Sequence, residues 1–241
     1  MDKTSLGDRM KGYENVVRNV LIRRMPVILR VDGRAFHTLT KRSKFDKPFD
    51  TQMSAAMTVV AHDLFNEIQG AKFVYTQSDE VSVLITDYDT LQTDAWFGYN
   101  IQKMVSISAS IASNSFNEFF ANHALEKYRN PIRRAQFDAR VFNLPKEEVC
   151  NYFIWRQQDA TRNSVSMLAQ SLFSHNELHG KSCNEMQDMM FIERGINWGA
   201  LDTWKKRGIC VTGNCKVNTE IPIFKDDRDY IEQHVYLTEK V

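Results

Sequence analysis

The chain has 241 residues, 43% hydrophobic and 25% charged, a length and composition that suit one substantial buried core or two modest ones. Its formal net charge is only +1, so no strong positive field surrounds it, and a nucleic-acid partner would have to be gripped by local patches. No apolar run approaches the ~20 residues that cross a bilayer, and the first residues lack the apolar centre of a signal peptide, so a cytoplasmic protein with no membrane partner is expected.

Arg18, Arg23 and Arg24 form the first basic cluster, for which a solvated face is the plain reading. The short, β-branched apolar run 27–31 predicts a buried strand, and RVDGRAFH (30–37) carries the chain out of it through an aspartate and a glycine. From Asp50 onward Met53, Ala56, Met57, Val60, Ala61, Leu64, Phe65 and Ile68 recur at helical spacing, with Gly70 as the stop. FVYTQSDEVSVLI (73–85) reads as a hairpin that turns near Gln77-Ser78-Asp79. A long amphipathic helix is expected over about 95–120, with Phe97 on its apolar face, and a second basic cluster follows at Arg129, Arg133 and Arg134. QFDARVFNL (136–144) alternates as a strand, after which Pro145 opens a helix that runs through WRQQDATRN. Ser182-Cys183-Asn184-Glu185 is a capping box, and its helix should end near Gly195. The remainder holds the run Lys205-Lys206-Arg207 and one or two short strands at most.

The resulting order, β-α-β-β-α-β, is that of an α+β ferredoxin-like fold, with two helices on one face of a four-stranded antiparallel sheet, followed by a helical C-terminal extension. In that fold the end of the first strand and the tip of the hairpin are neighbours, so Asp32, Asp79 and Glu80 can converge. Clustered carboxylates repel one another and persist as ionised groups mainly when divalent cations neutralise them; Mg²⁺, which prefers oxygen ligands, suits them best. Gly33 would let the backbone approach a metal or nucleotide closely.

Other strings are weaker. Gly180-Lys181-Ser182 lacks the earlier glycine of a phosphate loop, and His175 with His179 has neither the acid spacing nor a third ligand of a zinc site. Arg156, Asp159 and Asn163 share one helix face, which reads as a solvated face before one that presents donors to phosphate or base. The four cysteines form no C-x-x-C pair and read as reduced thiols.

Taken jointly, RVDGRAFH, the stretch Lys47-Pro48-Phe49-Asp50, QSDE, FDAR, WRQQDATRN and GINW…WKKRG, in this order over about residues 10–215, resemble the tRNA-histidine guanylyltransferase family, and its guanylyltransferase-like branch most. The resemblance implies a polymerase-like palm (1–144) and a nucleotide- and tRNA-contacting helical extension (145–241). It implies addition of nucleotides to the 5′ end of tRNA in the 3′-5′ direction, with ATP and GTP or another NTP as substrates. Asp32, the Gly33 carbonyl and Asp79 look like ligands for two Mg²⁺ ions, with Glu80 supporting catalysis. Arg30, Gly33, Arg34, Ala35, Phe36, His37, Lys47, Asp50, Ser78 and Asn163 are implied as nucleotide-binding. Arg156, Asp159, Lys205, Lys206 and Arg207 are implied as contacts to tRNA or a second nucleotide. Eukaryotic members carry His-Ile-Asn-Asn where Thr161-Arg162-Asn163-Ser164 stands here, a departure that favours templated repair of 5′-truncated tRNA over strict addition of one G to the histidine tRNA. A homotetramer is also implied. A nucleotide cyclase or other palm enzyme, and a non-enzymatic RNA-binding module, are the competing readings.

Overall fold

The computed structural model describes residues 5–123, 128 and 134–236. In chain order its elements are α1 (Ser5–Asn15), β1 (Val27–Gly33), α2 (Phe36–Arg42), α3 (Thr51–Glu67), β2 (Ala71–Gln77), β3 (Glu80–Ile85), α4 (Ile101–Asn122), β4 (Phe137–Asn143), α5 (Lys146–Leu172), α6 (His175–Leu178), α7 (Cys183–Arg194), α8 (Thr203–Arg207), β5 (Ile209–Thr212), β6 (Lys216–Asn218) and α9 (Asp229–Glu232). The sheet is antiparallel throughout, in the order β4-β1-β3-β2-β5-β6. Its first four strands have the ferredoxin-like order the sequence predicts, and β5 with β6 enlarges it to six.

Alternation along the strands divides the core into two layers. Val27, Leu29, Val31, Val81, Val83 and Ile85 face α3 and α4, meeting Val60, Leu64, Met104 and Phe116. Ile28, Phe73, Tyr75 and Leu84 point the other way, onto Val149, Phe153 and Ala160 of α5 and onto Ile221, Phe224, Ile231 and Val235 near the chain end. Helices therefore lie on both faces of the sheet, α3 and α4 on the ferredoxin-like side and α5 of the C-terminal extension on the other. The central strand β3 is buried along its whole length. Each fully buried aliphatic or aromatic side chain in these layers contributes roughly 1.5–3 kcal/mol.

Local chemistry accounts for most boundaries. Asp50 caps α3 by accepting from the Met53 N–H at 2.9 Å. A Cβ on Gly70, whose φ is +84°, would run into the Thr86 carbonyl, so the turn into β2 admits only glycine. The helix expected from residue 95 begins later: Trp96–Tyr99 is a 3₁₀ turn with positive φ at Phe97, Gly98 and Tyr99, and Asn100 caps α4 through the Lys103 N–H. Phe97 consequently lies outside the helix and is partly exposed. Ser182 and Glu185 form the expected capping box of α7, which stops at Gly195 in the left-handed conformation.

The four cysteines are free thiols. Of the first basic cluster, Arg23 and Arg24 are tied inward: Arg23 pairs with the buried Asp87, and Arg24 donates to the carbonyls of Asp87, Thr90 and Leu91. Arg129 and Arg133 lie outside the described residues. Among the described residues no helix is long and apolar enough to cross a membrane.

Candidate active site

Antiparallel pairing places Asp32 at the end of β1 directly opposite Glu80 at the start of β3. The Gly33 N–H donates to the Asp79 carbonyl at 3.0 Å, which clamps the β1 exit to the β2–β3 turn. Gly33 is required here, because a Cβ would enter the ring of Phe36, itself wedged against Phe116 and Phe137. Ser78, at φ +52°, makes the tight turn and donates to Asp79 Oδ1 at 3.1 Å.

The carboxylates then part company. Asp79 is pushed up to about 6, first by burial and next by the negative charge of Asp32, against the hydrogen bonds that lower it. Glu80 is also raised by burial, but the Arg156 guanidinium opposes the shift with a bidentate grip, Nε to Oε1 at 2.7 Å and Nη2 to Oε2 at 2.8 Å. The same guanidinium reaches Asp159 at 3.0 Å, which also holds Arg162 at 2.8 Å. The expected three-carboxylate convergence thus reduces to Asp32 and Asp79. Among the described residues no group of three or more His, Cys, Asp or Glu side chains gathers as a metal cage. Two carboxylates and the Gly33 carbonyl nonetheless make an all-oxygen donor set whose mutual repulsion a hard divalent cation would relieve, and they fit Mg²⁺.

Beside Asp79 opens a cleft of about 780 Å³, walled by the α2–α3 segment, the β2–β3 turn, α5 and α8. It brings together His37, Lys47, Ser78, Asp79, Asn163 and the run Lys205–Arg207. The basic run is held in place: Lys205 pairs with Asp202 at 2.7 Å, Lys206 donates to the Gly199 carbonyl at 2.6 Å, and Arg207 donates to the Ile221 carbonyl at 3.1 Å. Phe49 and Trp204, 6.4 Å apart edge to face, supply an apolar surface in the cleft. Sequence reasoning missed both as site residues, although they stand inside the quoted KPFD and WKKRG strings, where the charged neighbours drew attention instead.

Other expected residues lie elsewhere or serve the scaffold. Arg34 and Ala35 line a separate small concavity with Arg42 and Arg134, and Arg34 donates to Gln136 at 2.8 Å. Phe36 is a core ring that also touches the cleft. Asp50 is also on the cleft wall, but it accepts from the N–H groups of Asp46 and Met53 and, at 2.6 Å, from the Tyr128 hydroxyl, so it acts as a scaffold knot. The polar face of α5 is only in part the solvated face its spacing suggested: Asn163 is exposed and Asp159 partly so, but Arg156 is buried against Glu80, because burying β3 leaves Glu80 in need of a counter-charge. His175 and His179 sit on and just after the short α6, with ring centroids 6.0 Å apart.

A family model described as tRNAHis guanylyltransferase matches residues 7–145. An uncharacterized protein of Acanthamoeba polyphaga mimivirus is 29% identical over 232 residues, covering 86% of this chain and 76% of that protein. The tRNA(His) guanylyltransferase of Debaryomyces hansenii is 28% identical over 212 residues, covering 83% and 77%. Among solved structures, a bacterial tRNA(His) guanylyltransferase-like protein in complex with ATP is 50% identical with a TM-score of 0.91, covering 97% of this chain and 100% of that one. A bacterial protein of the same description in complex with GTP is 45% identical, with a TM-score of 0.81 and the same coverage. The tRNA(His) guanylyltransferase of Saccharomyces cerevisiae, at 23% identity and a TM-score of 0.77 over 89% of this chain and 97% of that one, shares the fold.

Proposed function

The chain belongs to the tRNAHis guanylyltransferase family, and from that premise we propose that it is a Mg²⁺-dependent nucleotidyltransferase that extends the 5′ end of tRNA in the 3′-5′ direction, in templated repair of 5′-truncated tRNA. The observation that carries this reading is the junction at Asp79, where the Asp32–Asp79 pair meets a cleft with cationic and apolar walls. Similar bacterial proteins bind ATP and GTP, which supports nucleoside triphosphates as occupants of that cleft here.

In this reading 1–144 is the catalytic palm and 145–241 the extension that contacts nucleotide and tRNA. Asp32, Asp79 and the Gly33 carbonyl would hold two Mg²⁺ ions. Bound there, Mg²⁺ would supply Lewis-acid activation of the attacking hydroxyl and neutralisation of charge on the leaving phosphate. Lys47 and the Lys205–Arg207 run bind the triphosphate, Ser78 and Asn163 orient it, and Phe49 with Trp204 receives the base. A 5′-monophosphorylated tRNA is first adenylylated by ATP with loss of pyrophosphate; the 3′-hydroxyl of the incoming NTP then attacks the activated 5′ phosphorus and AMP leaves. A 5′-triphosphate end enters the second step directly, with pyrophosphate leaving in place of AMP. Glu80, held by Arg156, supports the strand end beside Asp32. Thr161 donates to the Gln157 carbonyl within α5 and Arg162 pairs with Asp159, so of the TRNS string Asn163 and Ser164 reach the cleft. That favours nucleotide choice by template over choice by a G-specific pocket. A cytoplasmic homotetramer is the proposed working form.

The test is a 5′-extension assay with purified protein, Mg²⁺, labelled NTPs and a tRNA lacking its first nucleotide, with a 5′-monophosphate plus ATP or a 5′-triphosphate. Growth by the templated nucleotide is expected, with loss of at least about a hundredfold in Asp79→Ala. No 5′ growth across several tRNAs by well-folded protein, or full activity in the variant, would sink the proposal.

A further inference from the structure

On the face of the sheet that carries α5, the edge strand β4 and its neighbour β1 bear charge. Arg30 and Asp32 of β1 stand opposite Arg140 and Asp138 of β4. Because Ile28 belongs to the α5 layer, the alternation of the strands puts all four on that same face. Trp155 of α5 overlooks them. It lies one turn from Tyr152, with ring centroids 5.9 Å apart, and Tyr152 in turn bonds Ser82 of β3 at 2.8 Å and packs on Phe142 of β4 at 5.9 Å. Trp155 therefore sits on the side of the helix that leans over β1 and β4.

Three features there are incompletely used by the scaffold. Trp155 is 49% exposed, a large apolar ring left in water and already paired with one cation, the Arg156 guanidinium 4.5 Å from its centroid. The Nε of Arg30 is buried with no hydrogen-bond partner among the described residues, which leaves a donor in need of an acceptor. Arg140 is half exposed and, among the described residues, pairs with Asp138 alone, an exposed pair of little worth.

We propose that this face binds the 5′ end of the RNA acceptor: its terminal base stacks on Trp155, and Arg30 and Arg140 hold its backbone phosphates, presenting the reacting phosphorus beside Asp32. The inference rests on the reading of the protein as an RNA 5′-end nucleotidyltransferase. A terminal base has one face with no neighbour to stack on, and aromatic stacking accepts any base, as repair of different tRNAs requires. A free triphosphate has the walled cleft on the other side of Asp79; an open face lets a polymer leave it.

Binding of a 5′-truncated, 5′-triphosphorylated tRNA without NTP, and of NTP without RNA, should be measured for wild type, Trp155→Ala, Trp155→Phe and Arg140→Ala, with melting curves as a folding control. Trp155→Ala is expected to weaken RNA binding about tenfold and Trp155→Phe much less. Arg140→Ala should weaken RNA binding and lower the salt slope by about one. NTP affinity should stay within about twofold of wild type. RNA binding unchanged in Trp155→Ala, or NTP affinity lost as strongly as RNA affinity, overturns the proposal. Wild-type 5′ extension with unchanged RNA binding in Trp155→Ala removes this site alone. Absent extension with RNA binding still lost in Trp155→Ala removes the polymerase reading and keeps the RNA site.

Discussion

Asp79 and Glu80 are adjacent carboxylates at one hairpin, and their side chains do different work. Asp79 stays beside Asp32, with no cationic side chain among the described residues pairing with it, whereas Glu80 is neutralised by Arg156 across the sheet–helix interface. Both members of that ion pair are less than a tenth exposed, so removing one leaves a buried charge. Arg156→Met should destabilise the fold by about 3–5 kcal/mol in chemical denaturation, and Glu80→Gln, which keeps an acceptor, by less. An Arg156→Met midpoint equal to wild type would show that the pair stabilises nothing. Neither partner advertised the other: they are 76 residues apart in sequence, and helical spacing identifies a polar face without saying what covers it.

The elements with strong periodicity were readable. The apolar series from Met53 to Ile68, the alternation around Gln77-Ser78-Asp79, and the strand before Pro145 all stand where their spacing placed them. Elements set by backbone exceptions were not: α2 follows a left-handed Ala35, a conformation no residue of the string foretells, and the Trp96–Tyr99 turn needs three positive φ values of which only Gly98 gave a hint. The strands β5 and β6 are short, so their pairing to β2 depends on tertiary context. Within the cleft, the charged members were legible and the aromatic ones were not, because Phe49 and Trp204 read equally well as core. The α3 start shows an element serving the site. Asp50 caps the helix while holding the Asp46 backbone, three residues before the cap's own Phe49 and next to Lys47. Asp50→Ala should therefore cost about 1–3 kcal/mol in thermal or chemical unfolding and raise the KM for NTP, while Asp50→Asn should retain most of the cap. An unaltered KM in a destabilised Asp50→Ala protein would separate the helix cap from the cleft.

At the scale of the molecule, the second sheet face is closed by the segment around Ile221, Phe224, Ile231 and Val235, irregularly spaced residues that no periodicity could have assigned to a core. His234 lies within this closure, with its ring 5.5 Å from that of Phe73. Burial first, and then the charge of Lys72, lower its pKa below the ordinary 6.5. The folded chain then binds fewer protons than the unfolded one. The contribution to stability is complete above about pH 6.5 and is lost as pH falls through the lowered value. Melting temperature should drop from pH 7.5 to pH 5.5, and His234→Phe should flatten that part of the profile; an unchanged slope in the variant would place the titration elsewhere.

The basic run of α8 passes into β5 through Gly208, whose φ of +86° lets the backbone lie against the Thr76 carbonyl, where a Cβ would collide. β5 is in turn laddered to β2 from Phe73–Thr212 to Thr76–Ile209, immediately before the turn that carries Asp79. The cationic wall and the acidic turn are thus two ends of one stitched seam, not two jaws on separate bodies. Prising them apart would mean unzipping a strand from the middle of the sheet. In the proposed reading, the spacing between a triphosphate on the basic run and the acid of the turn would be set when the chain folds, before any substrate arrives.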